Sequence, residues 1–138
     1  MNTIEAIHHR RSIKQYDPNH VMPQEDLTTL IEAASLAPTS FNIQHWRFVH
    51  VTDMGIRQQL RSAAWDQTQV TDASTLLVIT ANTQSWQESP ERYWENVDQS
   101  TQETLVNMLQ DFYRGREWLQ RDEAIRSGAM AAQNIMLS

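Results

Sequence analysis

Residues 37–52 read APTSFNIQHWRFVHVT and combine the end of a helix, a polar loop and the start of a strand. Pro38 ends the preceding helix, because the residue before a proline avoids the helical region. From Arg47 to Thr52 polar and apolar residues alternate with period two, which predicts a strand with one buried face. This stretch therefore predicts a helix, a short loop and a strand in immediate succession.

Helices and short strands also surround this stretch. On its N-terminal side, Pro23 opens a helix whose apolar residues recur at helical spacing up to Ala34. On its C-terminal side, the apolar run from Leu76 to Ala81 predicts a second strand. Further helices are predicted at residues 55–64, 90–119 and 122–138. The sequence therefore predicts a mixed fold in which short strands are separated by helices.

The helical patterns also predict which residues form the core. We expect Ile56 and Leu60 to face inward from the helix over residues 55–64. The last helix carries a stripe of small residues at three- and four-residue spacing, which predicts close packing against a second helix. The buried residues of the 90–119 segment are predicted to be Trp94, Val97, Leu105, Met108, Leu109 and Phe112.

Composition narrows the classes of protein. The 138 residues, 40% hydrophobic and 20% charged, predict one globular domain over residues 1–138. A formal net charge of −6 argues against a nucleic-acid-binding surface, which requires a basic face. The absence of cysteine excludes disulfides and cysteine-based metal sites, and the five histidines lack a zinc-binding spacing. Because neither a membrane-spanning run nor a secretory signal is visible, we expect a cytoplasmic protein without a metal.

Two features concern the extent of the chain. A sheet of only two strands is seldom stable by itself. The last residues stop within an amphipathic helical pattern, with no glycine or proline to end it. We therefore expect residues 1–138 to be the N-terminal portion of a longer domain.

Positive charge is concentrated near the N-terminus, in Arg10, Arg11 and Lys14, which is the only lysine of the chain. Together with the hydroxyl of Ser12, these side chains are donors that suit a phosphate or another small anion. Basic residues at the end of a short helix also interact favourably with its dipole. The residues alone leave both interpretations open.

The loop after the second predicted helix is rich in polar side chains. Thr39 and Ser40 offer hydroxyls, and Asn42 and Gln44 offer amides. An amide presents a donor and an acceptor side by side, which suits the edge of a planar heterocycle. Such residues are also common in ordinary turns, so the loop alone is a weak indication of a binding site.

Four motifs, in this order, resemble the flavin-dependent nitroreductase family. They are RRSIKQYD at residues 10–17, APTSFNIQHWRF at 37–48, AWDQTQVTDAS at 64–74 and RDEA at 121–124. The resemblance covers essentially the whole chain. It implies an α+β fold, a three-layer sandwich in which helices flank a central, mainly antiparallel sheet, and a homodimer with FMN in the cleft between the subunits.

The resemblance also implies roles for the basic stretch. In that family the first arginine and the serine of the RRS element hold the FMN phosphate, which assigns Arg10 and Ser12 to it, with Arg11 beside them. Lys14 stands where a basic residue reaches the pyrimidine side of the flavin. A cation there stabilises the negative charge that a reduced flavin gathers near N1 and the C2 oxygen.

Two other segments receive roles through the resemblance. The polar loop packs on the flavin of the partner subunit, and the residues assigned to this contact are Pro38, Thr39, Ser40, Asn42 and Gln44. Asp66 and Gln69 occupy positions where relatives place an amide and a lysine or glutamine against the polar edge of the flavin. Asp66 departs from the usual asparagine and cannot donate to a ring carbonyl while it is ionised. We expect the later elements of the family, which complete the phosphate site and donate toward flavin N5, to lie beyond Ser138.

The function implied is that of an FMN-dependent oxidoreductase. NAD(P)H reduces the flavin and leaves, and a small-molecule oxidant such as a nitroaromatic or a quinone then takes its place. No side chain is assigned as catalytic, because the cofactor carries the chemistry. Two alternatives stay open: a dimeric relative that has lost its flavin, and a family member that performs another flavin redox step, such as dehalogenation or dehydrogenation.

Overall fold

The computed structural model describes residues 2–138, which form six helices and two strands. Short 3-10 turns lie at Ser40–Asn42, Ser85–Gln87 and Pro90–Trp94. The strands are β1 (Trp46–His50) and β2 (Leu77–Ala81). The helices are α1 (Thr3–His9), α2 (Gln24–Ser35), α3 (Met54–Ala63), α4 (Gln69–Asp72), α5 (Gln99–Tyr113) and α6 (Glu117–Leu137).

Polar residues fix the first turn of several helices. Asn2 and Glu5 form a capping box at α1, in which each side chain accepts a hydrogen bond from the backbone N–H of the other residue. At α3 the Asp53 carboxylate accepts from the N–H of Ile56 at 2.8 Å. These contacts satisfy N–H groups that have no partner within the helix, so local sequence determines where α1 and α3 begin.

The two strands form an antiparallel pair. Trp46 lies opposite Ala81, and His50 lies opposite Leu77. The backbone N–H of Asn82 extends the pairing by donating to the carbonyl oxygen of His45 at 2.8 Å. The strands agree with the predicted ones to within two residues, and β1 directly follows the polar loop as expected.

Helix α6 packs against both α2 and the sheet. Ala131 is fully buried in a cluster with Ala34, Ala37 and Trp46. Farther along the stripe, a Cβ placed on Gly128 would lie 3.9 Å from the Cβ of Ala81. The small side chains thus let one helix approach a second helix and a strand at once, which confirms the predicted close packing.

A second, mostly aromatic cluster lies at the start of α6 and the end of α5. Its buried members are Ile43, Trp86, Leu109, Tyr113 and Leu119. Because Ile43 belongs to the polar loop, this cluster connects the loop to both helices. The loop is consequently part of the folded core and not a peripheral connection.

The prediction of one helical segment over residues 90–119 is wrong. The chain forms a 3-10 turn at Pro90–Trp94, then α5, and then a break at Gly115 before α6. Ser89 has a φ of 46° ahead of the turn, and Gly115 has a φ of 71°, a left-handed conformation that glycine adopts without strain. The last helix accordingly begins at Glu117 and not at residue 122.

Several residues predicted to be buried are exposed. Ile56 is 51% exposed and Met108 is 56% exposed, while Leu109 beside it is fully buried. Val97 is 40% exposed and Phe112 is 38% exposed. The helical spacing located the apolar residues of α3 and α5. Which side of each helix faces the core depends on the tertiary packing, and the spacing does not specify it.

The architecture confirms the predicted α+β class, with an antiparallel sheet and helices packed against it. Among residues 2–138, no helix combines the length and apolar content needed to cross a membrane. The candidate site residues lie in three segments: the segment after α1, the loop before β1, and the stretch from the end of α3 to the start of α4.

Candidate functional site

The segment after α1 carries the predicted basic stretch on the surface. Helix α1 ends at His9, and residues 10–17 continue without regular secondary structure. Arg11 turns back on the helix, where its Nη1 donates to the carbonyl oxygens of His8 at 2.7 Å and Arg10 at 2.8 Å. Arg11 therefore takes the helix-end role that the sequence left open.

The other members of the basic stretch are not used in this way. Arg10, Ser12 and Lys14 are exposed. Within residues 2–138, none of these three side chains has a hydrogen-bond or ion-pair partner. These three side chains therefore remain available to donate hydrogen bonds to an anion.

The loop over residues 38–44 has an unusual backbone. Phe41, Asn42 and Gln44 have φ values of 55°, 55° and 54°. A non-glycine residue in this region costs about 1–3 kcal/mol and persists where surrounding contacts hold it. The N–H of Gln44 donates to the Thr39 hydroxyl at 3.1 Å, and the Gln44 amide donates to Asn42 Oδ1 at 3.2 Å. The two predicted amides therefore lie together.

The side chain of Phe41 is what anchors the middle of this loop. Its ring lies 5.5 Å from that of Phe112 and 6.1 Å from that of Tyr113, measured between centroids. Trp94 contacts it edge-on at 6.4 Å. Burying an aromatic side chain in such a cluster compensates for the cost of the left-handed backbone, so the apolar residue in the motif has a structural role.

Both ends of the loop are also tied to α6. The Ser40 hydroxyl donates to Glu123 Oε2 at 2.7 Å. At the other end, His45 Nδ1 and Ser127 Oγ are 3.1 Å apart, and both residues are fully buried. The contacts of Ser40 with Glu123 and of His45 with Ser127 have no signal in the local sequence, because the partners are more than 80 residues apart in the chain.

Burial perturbs two titratable groups next to this loop. The pKa of His45 is lowered from 6.5, mainly by burial, which Glu123 opposes and Arg47 reinforces. Burial raises the pKa of the Tyr113 hydroxyl to about 12. The nearby Ser40 hydroxyl opposes this increase in the pKa of Tyr113. His45 Nε2 has no hydrogen-bond partner within the described part of the chain. Both groups are therefore neutral near pH 7 and serve as part of the packed interior.

A polar cleft of about 520 Å³ lies beside the loop. Arg47 lines one side of the cleft, and its guanidinium donates to the carbonyl oxygens of Gln44 at 3.2 Å and Trp46 at 2.9 Å. The residues that line the cleft are Asn42, Gln44, Trp46, Arg47, Arg92 and Tyr93. The predicted amides thus face a solvent-accessible space that is flanked by guanidinium groups.

The segment around Asp66 is organised by α3. Arg61 Nε donates to the Asp66 carboxylate at 2.7 Å, and the Asp66 side chain is 75% exposed. The Gln69 amide donates to Gln67 Oε1 at 2.6 Å. The buried Arg57 donates to the carbonyl oxygens of Val70, at 2.9 Å, and Ala73. The backbone of this segment is held firmly, but Asp66 is engaged in an ion pair.

The candidate segments remain separate within one chain. Among residues 2–138, no hydrogen bond or ion pair joins the basic stretch to the loop over residues 38–44 or to Asp66 and Gln69. The described residues also contain no group of three or more His, Cys, Asp or Glu side chains that could hold a metal ion. Arginine, hydroxyl and amide donors therefore define the chemistry of these segments.

Comparison with known proteins agrees with the sequence motifs. The profile of the Nitroreductase family matches residues 7–138. Protein DrgA of Synechocystis sp. is 46% identical over 138 residues, which cover 100% of this chain and 66% of DrgA. "Putative NAD(P)H nitroreductase MhqN" of Bacillus subtilis is 33% identical, over 96% of this chain and 67% of that protein. The chain thus spans about two thirds of the length of these curated relatives.

Solved structures show the same fold. A protein of Exiguobacterium sibiricum, described as a "putative nitroreductase in complex with FMN", superimposes with a TM-score of 0.87. The two sequences are 24% identical, and the alignment covers 99% of this chain and 69% of that one. At this level of identity the comparison establishes the arrangement of helices and strands.

Proposed function

Because the chain belongs to the nitroreductase family, we propose that it forms part of an FMN-dependent NAD(P)H oxidoreductase that reduces nitroaromatics or quinones. The name of one relative refers to NAD(P)H, and one neighbour of the same fold is described with FMN. The proposal rests mainly on one observation: the side chains of Arg10, Ser12 and Lys14 are exposed and available to donate hydrogen bonds to a ligand. The chain has a net charge of −6, yet among residues 2–138 none of these three side chains has an acidic partner, which suits the segment to hold a phosphate.

The donor set fits the phosphate and the ring of FMN at different points. Arg10 offers the planar fork of a guanidinium, and Ser12 offers a short hydroxyl; these are the proposed phosphate contacts. Lys14, two residues farther along an extended segment, is proposed to place its ammonium at the pyrimidine side of the ring. Arg11 remains beside them, with its guanidinium at the end of α1.

When bound, FMN supplies the hydride chemistry that links NAD(P)H to the oxidant. The chain itself supplies position and charge. Lys14 is proposed to stabilise negative charge on the pyrimidine side of the ring with its ammonium group. No side chain is proposed to transfer a proton, so no residue of this chain is assigned as catalytic.

The loop over residues 38–44 is proposed to face the flavin of a second copy of the chain. Its rigid backbone and its paired amides at Asn42 and Gln44 suit a planar ring, because they are ordered before the ligand arrives. In this proposal Pro38, Thr39 and Ser40 complete the wall of the site. The protein is therefore proposed to act as a homodimer with two shared flavin sites.

The segment after α3 fits the cofactor only in part. The Gln69 amide has a neutral partner in Gln67 and can exchange it for the polar edge of the flavin. The Asp66 carboxylate carries charge and is paired with Arg61. We therefore assign Gln69 and not Asp66 to the flavin edge, and we propose Asp66 as a residue that shapes the segment through its ion pair.

A titration with FMN, monitored by quenching of flavin fluorescence, tests the phosphate assignment. Arg10→Ala is expected to weaken FMN binding by about 1–3 kcal/mol, which is what a charge-assisted hydrogen bond contributes. Arg121→Ala is the matched control, because Arg121 is also exposed and only reaches Asp122 at 3.5 Å. Equal FMN affinity for the wild type and Arg10→Ala would contradict the assignment.

The same samples test the reaction class. NAD(P)H oxidation is expected to depend on FMN and on a nitroaromatic or a quinone as the oxidant. The proposed compartment is the cytoplasm, where NAD(P)H is the available reductant. Because the reaction requires bound FMN, the available donors of Arg10, Ser12 and Lys14 also support this part of the proposal.

One observation favours the alternative of a flavin-free relative. The ion pair between Arg61 and Asp66, at 2.7 Å, occupies a position where the family resemblance implies an amide. A protein that forms a dimer but does not bind FMN in the titration would support this second function, that of a non-catalytic dimeric protein.

A further inference from the structure

Two contacts tie the loop over residues 38–44 to one face of α6. Ser40 reaches Glu123, and His45 reaches Ser127. Glu123 and Ser127 are four residues apart, so they lie on the same face of the helix, one turn from each other. The two anchor points bracket the three loop residues that have positive φ.

The Glu123 carboxylate is held from both sides. Oε2 accepts the Ser40 hydroxyl at 2.7 Å, and Oε1 accepts Arg126 Nη1 at 2.6 Å. The Glu123 side chain is only 17% exposed. A carboxylate that is half-enclosed and fixed by a guanidinium offers the hydroxyl one well-defined acceptor, which makes this a strong and directional hydrogen bond.

The second anchor has a defined arrangement of protons. Ser127 Oγ donates its one proton to the carbonyl oxygen of Glu123 at 2.8 Å. It can therefore only accept from His45, which assigns the proton of the neutral imidazole to Nδ1. Both anchors thus pass through Glu123, one through its carboxylate and the other through its backbone.

We propose that Glu123 is a positioning residue, which holds the loop through Ser40 in the conformation that presents Asn42 and Gln44 to the flavin. The left-handed backbone at these positions costs free energy, so the loop requires external contacts to remain in place. Phe41 anchors the middle of the loop by burial, and Glu123 fixes the direction of its first residues. This inference rests on the proposed flavin function and adds a residue that does not touch the cofactor.

The proposal is tested by a double-mutant cycle on FMN affinity in the full-length protein. Ser40→Ala and Glu123→Ala are each expected to raise the dissociation constant for FMN about three- to tenfold, and the double variant no more than the larger single effect. Non-additivity is the informative result, because a serine that contacts the flavin independently of Glu123 would give additive losses.

Conservative and control variants separate positioning from general stability. Glu123→Gln keeps an oxygen that can accept from Ser40, so it is expected to lose less FMN affinity than Glu123→Ala. Glu117→Ala is the control on the same helix, since Glu117 is exposed and has no side-chain partner within residues 2–138. The thermal midpoint of the FMN-free protein and the visible absorption of the bound flavin are recorded for every variant.

Each outcome has a distinct meaning. Lower thermal midpoints with unchanged FMN affinity and unchanged flavin absorption would show a merely structural contact and overturn the proposal. Additive losses of affinity would also overturn it. A wild-type chain that does not bind FMN would overturn the proposed function and the positioning role with it, whereas a wild type that binds FMN alongside unaffected variants overturns the positioning role alone.

Discussion

The two segments proposed for one flavin site are held in opposite ways. The basic stretch after α1 is exposed, and its contacts within the chain come from Arg11 at the end of the helix. The loop over residues 38–44 buries Ile43 completely and is tied to α6 at both ends. One segment is defined by its charge, and the other by its shape.

The difference follows from what each segment is proposed to recognise. A phosphate is a compact anion that attracts flexible cations over several ångströms, so its donors need little prior order. A planar ring is recognised through directional amide contacts, which lose affinity if the backbone has to be ordered on binding. The left-handed backbone and the long-range contacts accordingly occur in the loop over residues 38–44, which is the segment proposed to need a fixed shape.

The largest expected contrast comes from two isoleucines. Ile43→Ala is expected to lower the free energy of unfolding by about 2–5 kcal/mol, because Ile43 is fully buried against Trp86, Leu109 and Tyr113. Ile13→Ala, in the basic stretch, is expected to change it by less than about 0.5 kcal/mol, since Ile13 is 57% exposed. Urea denaturation measures both. Similar losses for the two variants would show that the two segments are equally well packed.

A pair of serines gives a smaller contrast of the same kind. Ser127→Ala removes the acceptor of the buried His45 Nδ1 and is expected to cost about 1–3 kcal/mol of unfolding free energy. Ser12→Ala is expected to leave stability within about 0.5 kcal/mol of the wild type, because its hydroxyl is exposed. If Ser12→Ala proved the more destabilising in urea, the basic stretch would have to be packed in a way that this structure does not contain.

The smallest expected effect is a dependence of the protein's stability on pH, caused by His45 at the end of the loop. Burial lowers the pKa of His45, so the folded state resists a proton that the unfolded state binds near pH 6.5. The contribution of neutral His45 to the free energy of unfolding is therefore fully present above about pH 6.5, and it declines as the pH falls below this value. The charged groups facing His45 are Glu123 from α6 and Arg47 from β1. Thermal midpoints between pH 7.5 and roughly 5.5 measure this decline.

Two variants assign the pH dependence. His45→Asn keeps a donor toward Ser127 but cannot titrate, so it is expected to flatten the decline. His20→Asn is the control, because His20 is exposed near the basic stretch. A decline that persists in His45→Asn and disappears in His20→Asn would place the titrating group in the exposed segment instead.

Sequence patterns predicted most of the elements and part of the core. The alternation after Arg47 and the apolar run before Ala81 identified both strands, since these signals depend only on neighbouring residues. The aromatic cluster at the end of α5 was predicted less well. Leu109 is buried and Met108 is exposed, because helical spacing cannot say from which side the second core approaches α5.

The candidate site shows the same limit. The residue types in the basic stretch and in the loop suggested donors for an anion and for a planar ring, and these assignments remain proposals. Only the structure showed that Arg11 donates to the backbone at the end of α1. Among residues 2–138, the side chains of Arg10, Ser12 and Lys14 have no such partner. The structure likewise showed that Asp66 forms an ion pair with Arg61, five residues earlier, and that residue 66 has a left-handed backbone with a φ of 55°.

Composition and periodicities within a few residues predicted the positions of the strands and the concentration of cations near the N-terminus. The α+β class was implied by the motifs that resemble the family. The tertiary structure decided that Ser40 meets Glu123 and that His45 meets Ser127, across 83 and 82 residues of chain. Such contacts depend on how α6 packs against α2 and the sheet, and no local pattern encodes that packing.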